Sequence, residues 1–593
     1  MEGEPLAPFD WVIVGFYVVA ALCIGVAFKK RADAGKEGFF LADRSLGWFI
    51  AGTSIVATTF SADTPVFVAG MSRDIGIYQN WFWWSGIFGQ MATVFFFARL
   101  WRRSEILTDI EFLMKRYEHT PANHVLRIFK VFFDGVFINC IVMASVTLAM
   151  AKVFSVVLGL SDEPMAMLPL IGPVTSTGLL LCLLGASAVF YAALSGLYGV
   201  VYTDLIQFGL AMLGSIVLAV LVYVDISRGD GLYAHLEAAP GFDEVVLRFA
   251  PDLRQFDLRT FTFLTFIFVA WWSGAPGSGY GVQRLLSTKS EHDSFLAFLW
   301  YNICHYLVRP WPWIVVGICS IYYFPQLADP ETSYPEMIGR FMPVGMKGVI
   351  VASMLAAFMS TIDTHLNWGS SYLINDLYQP YINPNAKPHH YVNVSRIAMF
   401  LLTLVALSVT LRLTQILAAY EYLGLFLGGI GPVMIARWYW WRVNPWSEIC
   451  AIVTSLIVGN LLALWLLPDT DEQRLFAVRL LITMGIATPI WVTVTLLTSR
   501  RPSEQTVAFY RKMRIGGPGW KRLALETGVA PLDEKLWHAT AGWLVASLLM
   551  VSVLVGVGKL LFHEWLTAFV CAVVFVCCAF ALKKLIRNFK LGG

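Results

Sequence analysis

Runs of about 20 apolar residues recur from one end of this chain to the other, and each is long enough to cross a hydrocarbon core about 30 Å thick. Fifteen such segments lie near 11–28, 46–70, 76–98, 128–158, 174–194, 199–224, 260–281, 294–323, 345–376, 394–412, 415–436, 447–467, 475–498, 539–560 and 564–584. The first is the leading span here, and the next ten are core helices one to ten. Inside lipid every backbone polar group needs an internal partner, so helices and closed barrels are the only solutions. A barrel would show alternating segments of about ten residues, and these runs do not alternate. The expected fold is an all-α polytopic membrane protein with about 15 transmembrane helices. Composition agrees: the chain is 57% hydrophobic and 14% charged, against about a quarter charged in soluble domains. The net charge of +3 follows membrane topology and implies no nucleic acid. Nine cysteines (Cys23, Cys140, Cys182, Cys304, Cys319, Cys450, Cys571, Cys577, Cys578) fall inside apolar spans and form neither a metal motif nor a disulfide framework. The start, Met1-Glu2-Gly3-Glu4, lacks the basic region of a cleaved signal, so the leading span is expected to be retained.

Lysine and arginine set the orientation. With the N-terminus outside, the inside segments carry Lys29-Lys30-Arg31, Arg102-Arg103, Lys115-Arg116, Arg284 and Lys289, Arg437 and Arg442, Arg500-Arg501, Arg511-Lys512, Lys521-Arg522 and Lys583-Lys584. The outside segments carry Asp162-Glu163, Asp243-Glu244, Asp329 and Glu331, and Asp469, Asp471 and Glu472. An odd number of spans then puts the C-terminus in the cytoplasm, and the expected location is the plasma or inner membrane.

Two core spans are interrupted. Core helix one reads Gly52-Thr53-Ser54-Ile55-Val56-Ala57-Thr58-Thr59-Phe60-Ser61-Ala62-Asp63-Thr64-Pro65, and core helix six reads Trp271-Trp272-Ser273-Gly274-Ala275-Pro276-Gly277-Ser278-Gly279. Glycine, proline and hydroxyl residues in mid-span free backbone groups, which is tolerated only where they line a cavity or are buried in protein. The interruptions stand five core spans apart, and an odd offset reverses direction in the membrane. This spacing predicts an inverted repeat with its site at the midplane; the alternative is a pair of ordinary kinks. In core helix eight, Ser360, Thr361, Asp363 and Thr364 fall within about one turn of a long apolar run. Such oxygen groups inside a bilayer mark function, and hydroxyls and carboxylates suit a hard cation. Taken alone, Ser360 and Thr361 read as bonding back to the preceding turn.

With these residues in view, the chain resembles the sodium:solute symporters, the family of the sodium/glucose, sodium/proline and sialic acid symporters. The resemblance rests on Ser45-Leu46-Gly47-Trp48 with Phe60-Ser61-Ala62-Asp63, and on Thr108-Asp109-Ile110-Glu111-Phe112 with Lys115-Arg116-Tyr117. It continues through Tyr191, Ser195-Gly196-Leu197 and Tyr202-Thr203-Asp204-Leu205-Ile206-Gln207, then Gln283-Arg284, and then Ala356-Ala357 to Ser360-Thr361 with Asp376-Leu377-Tyr378. It implies two five-helix inverted repeats and a sodium site made by the carbonyls of Ala57, Phe60 and Ala357 with the hydroxyls of Ser360 and Thr361. It also implies a possible second cation site from Asp204, Ser360, Asp363 and Thr364. There the chain departs from the family by placing Asp363 where a hydroxyl is expected. The two carboxylates either hold a cation or proton between them, or Asp363 is a structural partner of Arg284 or another inside arginine.

The solute pocket implied by the resemblance is lined by core helices one, two, three, six, seven and ten. Its candidates are Thr59, Asp63, Thr64, Gln79, Trp83, Asn139, Trp271, Ser273, Asn302, His305 and Tyr420. The sugar-cotransporter pattern is altered, with Trp83 in place of an acid and Gly274 in place of a gating tyrosine. Arg309, in Arg309-Pro310-Trp311-Pro312-Trp313, either clamps an anionic group bidentately or snorkels to the outer interface. The expected function is sodium-coupled import of a small polar solute, a sugar or sugar-like compound first and a carboxylate or amino acid second. A membrane sensor would need a soluble output domain after the last span. An enzyme would need a catalytic motif, and His563-Glu564 lacks the second histidine of H-E-x-x-H. The expected organisation is a leading span with its loop (1–45), repeat one (46–225), an outer loop (226–259), repeat two (260–440), two added spans (441–498), a solvated cytoplasmic linker (499–538) and two C-terminal spans with a short tail (539–593).

Overall fold

The structure is a computed structural model that describes residues 6–32, 36–160, 164–168, 172–229, 231–469, 475–532 and 536–587. Expectations for Met1-Glu2-Gly3-Glu4, Asp162, Glu163, Asp471 and Glu472 lie outside the described residues, as do those for the side chains of Lys29, Lys30, Arg31, Tyr191 and Ser195. Every apolar run coincides with helix. Among the described residues, nine helices are long and apolar enough to cross a membrane. The remaining runs are shorter or interrupted helices. One antiparallel hairpin, Pro164–Leu168 with Gly172–Thr175, joins core helices three and four and is the exception to an all-α chain.

Core helix one is broken where the hydroxyl and proline cluster predicts, into Trp48–Thr59 and Asp63–Asp74. Core helix six consists of Leu258–Phe268, the 3₁₀ turn Ala270–Gly274 and Gly279–Leu286. Neighbouring backbones close on that turn through glycines. A Cβ on Gly89 would stand 2.6 Å from the Trp271 carbonyl oxygen, and one on Gly431 would stand 2.7 Å from the Ser273 nitrogen. Core helix seven bulges into a π-helix at Cys304–Val308 just before Pro310. Proline cannot continue the regular ladder, and π-bulges recur at functional sites.

Core helices four and five follow one another within a single helical stretch of 51 residues, Ser176–Ile226. Straight, it would be about 75 Å long, yet both its ends meet the same end of the molecule. Thr177 contacts Ser155 at 3.2 Å, and Asp225 accepts from Tyr323 at 2.7 Å. Lys152, near Ser155, is paired with Asp329, just beyond Tyr323. Between these ends Tyr198 meets Asp43 and Ser45, so the stretch crosses and returns as the two expected spans, the second of them Leu197–Ile226. One expectation needs correction: the described part of 499–538 is not a solvated linker. It forms the helices Glu504–Met513 and Lys521–Thr527 around the turn Pro518–Trp520. Phe509, Tyr510, Met513, Trp520 and Leu523 are all buried, because apolar side chains recur at helical spacing inside a charged stretch.

The leading span, Pro8–Ala32, is built into the core. Asp10 accepts the backbone N–H groups of Gly345 and Gly348, both at 2.7 Å, at the N-terminus of core helix eight, where a carboxylate complements the helix dipole.

Candidate cation and solute site

The break in core helix one leaves the carbonyls of Val56 to Thr59 at the negative end of a half-helix. Each has a partner that defines the site. Thr361 of core helix eight donates its hydroxyl to the Thr58 carbonyl at 2.8 Å and to Ala357 at 3.1 Å. The Phe60 N–H reaches the carbonyls of Val56 and Ala57 at 2.8 and 3.1 Å. Ser360 donates to Asp204 Oδ1 at 2.5 Å. Thr361 and Ala357 of core helix eight therefore meet core helix one at Thr58, between Ala57 and Phe60, while Ser360 turns to Asp204, and all of these residues are buried. A hydroxyl that donates elsewhere keeps lone pairs free for a cation.

One layer along core helix eight lies a buried charged cluster. Asp204 takes the Ser54 hydroxyl at 2.5 Å and stands 3.9 Å from the Arg284 guanidinium. Arg284 also donates to Ser54 at 3.2 Å, Gln283 at 3.0 Å and Thr364 at 2.8 Å. Thr364 in turn meets Thr58 at 3.2 Å. Asp363 is fully buried, and neither of its oxygens has a hydrogen-bond partner among the described residues. It is close enough to Asp204 and Arg284 to interact electrostatically with both. The leading span contributes Tyr17, which accepts from Gln207 at 2.8 Å and touches Met359. Ser54, Gln207 and Tyr17 were missed at the sequence level. Ser54 and Gln207 stand inside the quoted motifs, whereas a tyrosine in an apolar span reads as an interfacial anchor.

On the opposite face of the break, core helix seven supplies Arg309, 1% exposed. It does not snorkel outward. Its Nη1 donates to the Thr59 hydroxyl at 3.1 Å and the Val56 carbonyl at 3.4 Å, and its Nη2 donates to His305 Nε2 at 3.4 Å. His305 Nε2 thus accepts, and Nδ1 carries the proton that reaches Thr59 at 3.1 Å. The guanidinium lies 5.4 Å from the centre of the Trp313 ring. Asp63 is buried and receives the hydroxyls of Tyr420 and Ser61, while Thr64 bonds to the Thr59 carbonyl at 3.3 Å. Trp83 stacks on Tyr306 with ring centres 5.9 Å apart and meets His305 edge-on at 5.7 Å. Thr59, Asp63, Thr64, Trp83, His305 and Tyr420 therefore surround the break.

The other candidates sit elsewhere. Asn139 is consumed in a bridge to core helix eight, donating to the His365 carbonyl at 2.9 Å and meeting the His365 ring at 2.5 Å. Trp271 packs on Trp543 at 5.5 Å. Ser273 lines a separate cleft with Asp109, Asp134, Gly279, Trp368 and Arg437. Gln79 lies in the short turn Ile77–Asn80. Asn302 donates to the Phe298 carbonyl at 2.7 Å, and its side-chain oxygen has no partner among the described residues.

The chain is similar to known transporters. The profile of the sodium:solute symporter family matches residues 39–454. A sodium/glucose cotransporter of Vibrio parahaemolyticus is 26% identical over 476 residues, covering 75% of this chain and 83% of that protein. An osmoregulated proline transporter of Bacillus subtilis is 23% identical over 458 residues, covering 75% and 86%. Among solved structures, a substrate-bound, outward-open sodium-coupled sialic acid symporter superposes with a TM-score of 0.64 at 19% identity, covering 84% of this chain and 99% of its own; that likeness concerns the fold. A broken first core helix faced by hydroxyls of the eighth, within two inverted repeats and matched over most of its length, identifies this chain as a member of the sodium:solute symporter family, a multi-pass transporter and not an enzyme.

Proposed function

We propose that this chain imports a small, sugar-like polar solute together with sodium by alternating access. The single observation that carries this reading is the junction of Thr361 with the Thr58 carbonyl, which holds core helix eight against the broken end of core helix one. In our reading a first sodium sits there, on the carbonyls of Ala57, Phe60 and Ala357 and the hydroxyls of Ser360 and Thr361. Its binding orders both helices, and the solute takes the far face of the break, among Thr59, Asp63, Trp83, His305 and Tyr420. A second cation lies between Asp204 and Asp363. Each sodium moving inward gains about 2.3 kcal/mol per 100 mV, in addition to its concentration gradient. The glucose cotransporter and the sialic acid symporter among the similar proteins support a hydroxyl-rich solute. The proline transporter and the buried Arg309 support a charged one. In proteoliposomes, uptake should require an inward sodium gradient; equal uptake when potassium replaces sodium would overturn the reading.

A further inference from the structure

Arg309 is the one strongly charged group beside the break that the sodium reading leaves without a task. It is fully enclosed, yet no carboxylate lies within ion-pair distance of it among the described residues. Its neighbours are a threonine, a neutral histidine, one carbonyl and an aromatic face. Its contacts are 3.1 to 3.4 Å long, and its Nε has no partner among the described residues. The edge formed by Nε and Nη2 thus carries one unused N–H and one weakly used one, which is the fork a carboxylate accepts in bidentate fashion. A buried guanidinium whose fork is left unfilled is costly, and at membrane depth more so; Asp63 is the opposite charge nearby, but it makes no direct bond to Arg309 among the described residues.

Charge balance points the same way. Asp63 and Arg309, both ionised, cancel. A sodium on Ala57, Phe60, Ala357, Ser360 and Thr361 then leaves this half of the site with one positive charge in excess. A neutral sugar or a zwitterion leaves that excess in place, whereas a monocarboxylate removes it. The neighbouring cluster balances separately, since Arg284 with one further cation matches Asp204 and Asp363.

We infer that the solute is a hydroxylated monocarboxylate, a sugar acid rather than a neutral sugar, with its carboxylate seated on the Nε–Nη2 edge of Arg309 and its hydroxyls directed to Asp63, Tyr420 and Thr59. The inference rests on the symport reading above and narrows its solute. Arg309 is then the residue that sets specificity, and Trp83 and Trp313 are its reporters.

The test uses the full-length protein in detergent, with thermal stability and tryptophan fluorescence as readouts. Sodium is titrated first against potassium; absence of a sodium effect defeats the symport reading itself. Three pools are then added in saturating sodium: hydroxylated monocarboxylates (gluconate, glucuronate, glycerate), neutral polyols of matching length (glucose, sorbitol), and zwitterions (alanine, proline). The carboxylate pool should raise the melting temperature and change the fluorescence, and the other two should not. Arg309→Gln should weaken the effective carboxylate about 10- to 100-fold while keeping the sodium response. Arg309→Lys, which retains the charge without the fork, should fall between the two and serves as the probe if Arg309→Gln does not fold. A sodium response with no carboxylate response, a response to the neutral or zwitterionic pool instead, or an unchanged carboxylate affinity in Arg309→Lys would each overturn the inference while leaving sodium coupling standing.

Discussion

Ser360 and Thr361 occupy neighbouring positions but use their hydroxyls differently. Thr361 locks core helix eight to the Thr58 carbonyl, and Ser360 supports Asp204. Ser360→Ala or Thr361→Ala should each weaken sodium binding by about 1.5–3 kcal/mol, the cost of losing a partner to a charged group, with folding largely kept. A sodium titration of thermal stability measures this, and an unchanged midpoint in both variants would remove these hydroxyls from the site. Asp363 tests the second cation. A structural ion pair would show its carboxylate in contact with arginine, but among the described residues its oxygens make no ion pair, and Arg284 turns to Asp204, Ser54, Gln283 and Thr364. Asp363→Asn therefore breaks no ion pair. It should leave folded yield intact and lower the Hill slope for sodium toward one, or shift the pH dependence of transport if a proton is the occupant. An unchanged slope across pH together with lost stability would restore the structural reading. At this scale the oxygen cluster on core helix eight was legible, because polar atoms are conspicuous in an apolar run. The burial of Arg309 was not, because the same sequence serves an arginine that reaches the interface and one that turns inward to a broken helix.

Among the elements, the interruptions of core helices one and six were legible from glycine, proline and hydroxyl residues, which weaken a helix wherever they fall. The return between core helices four and five was legible only as a short gap between two apolar runs. The segment 499–538 misled. Its charge suggested solvent, yet its aromatic residues fold it under the core. Trp520 donates to the Trp438 carbonyl at 2.7 Å and lies 5.0 Å from the Arg116 guanidinium. The Trp441 N–H meets the Gly519 carbonyl at 3.4 Å, and Arg103 donates to the Met513 carbonyl at 2.8 Å. At the rim, Lys512 holds the Glu105 carboxyl below its usual range by hydrogen bond and charge; both side chains are exposed, so the pair contributes at most about 1 kcal/mol. The stability of this element lies in the tryptophan. Trp520→Ala should cost about 3–5 kcal/mol, as for large core truncations, and lower the melting temperature of the purified protein. Exchange of Trp520 without effect would return the segment to a solvated linker.

For the whole molecule, the strongest regularity is the gathering of basic residues at one end. Arg44 donates to the carbonyls of Glu105 and Ile106, Arg102 to Thr288, Arg103 to Glu291 and Met513, and Arg116 to Arg437, Trp440 and Trp441. The opposite end is held by acids. Glu331 accepts the N–H groups of Ile416 and Leu417 at 3.0 and 3.3 Å, and with Asp329 it pairs Lys152. Because loops rich in lysine and arginine stay in the cytoplasm, the end carrying Glu504–Met513 should face the cytoplasm, and the end carrying Asp329 and Glu331 should face outside, with the N-terminus. Glu504 and Arg254 are both exposed and lie at the two ends, so single cysteines there, in a background with the native cysteines replaced, read the orientation directly. A membrane-impermeant maleimide added to intact cells should label Arg254→Cys at once and Glu504→Cys only after the membrane is opened. The reverse pattern would invert the molecule. It would also invert the direction in which the sodium gradient drives the cycle, because the face of the broken helix that loads first would then open to the cytoplasm. Labelling at both positions in intact cells would instead show that an odd number of crossings does not separate them, and the fifteen-span count would have to change before the cation site could be placed at the midplane.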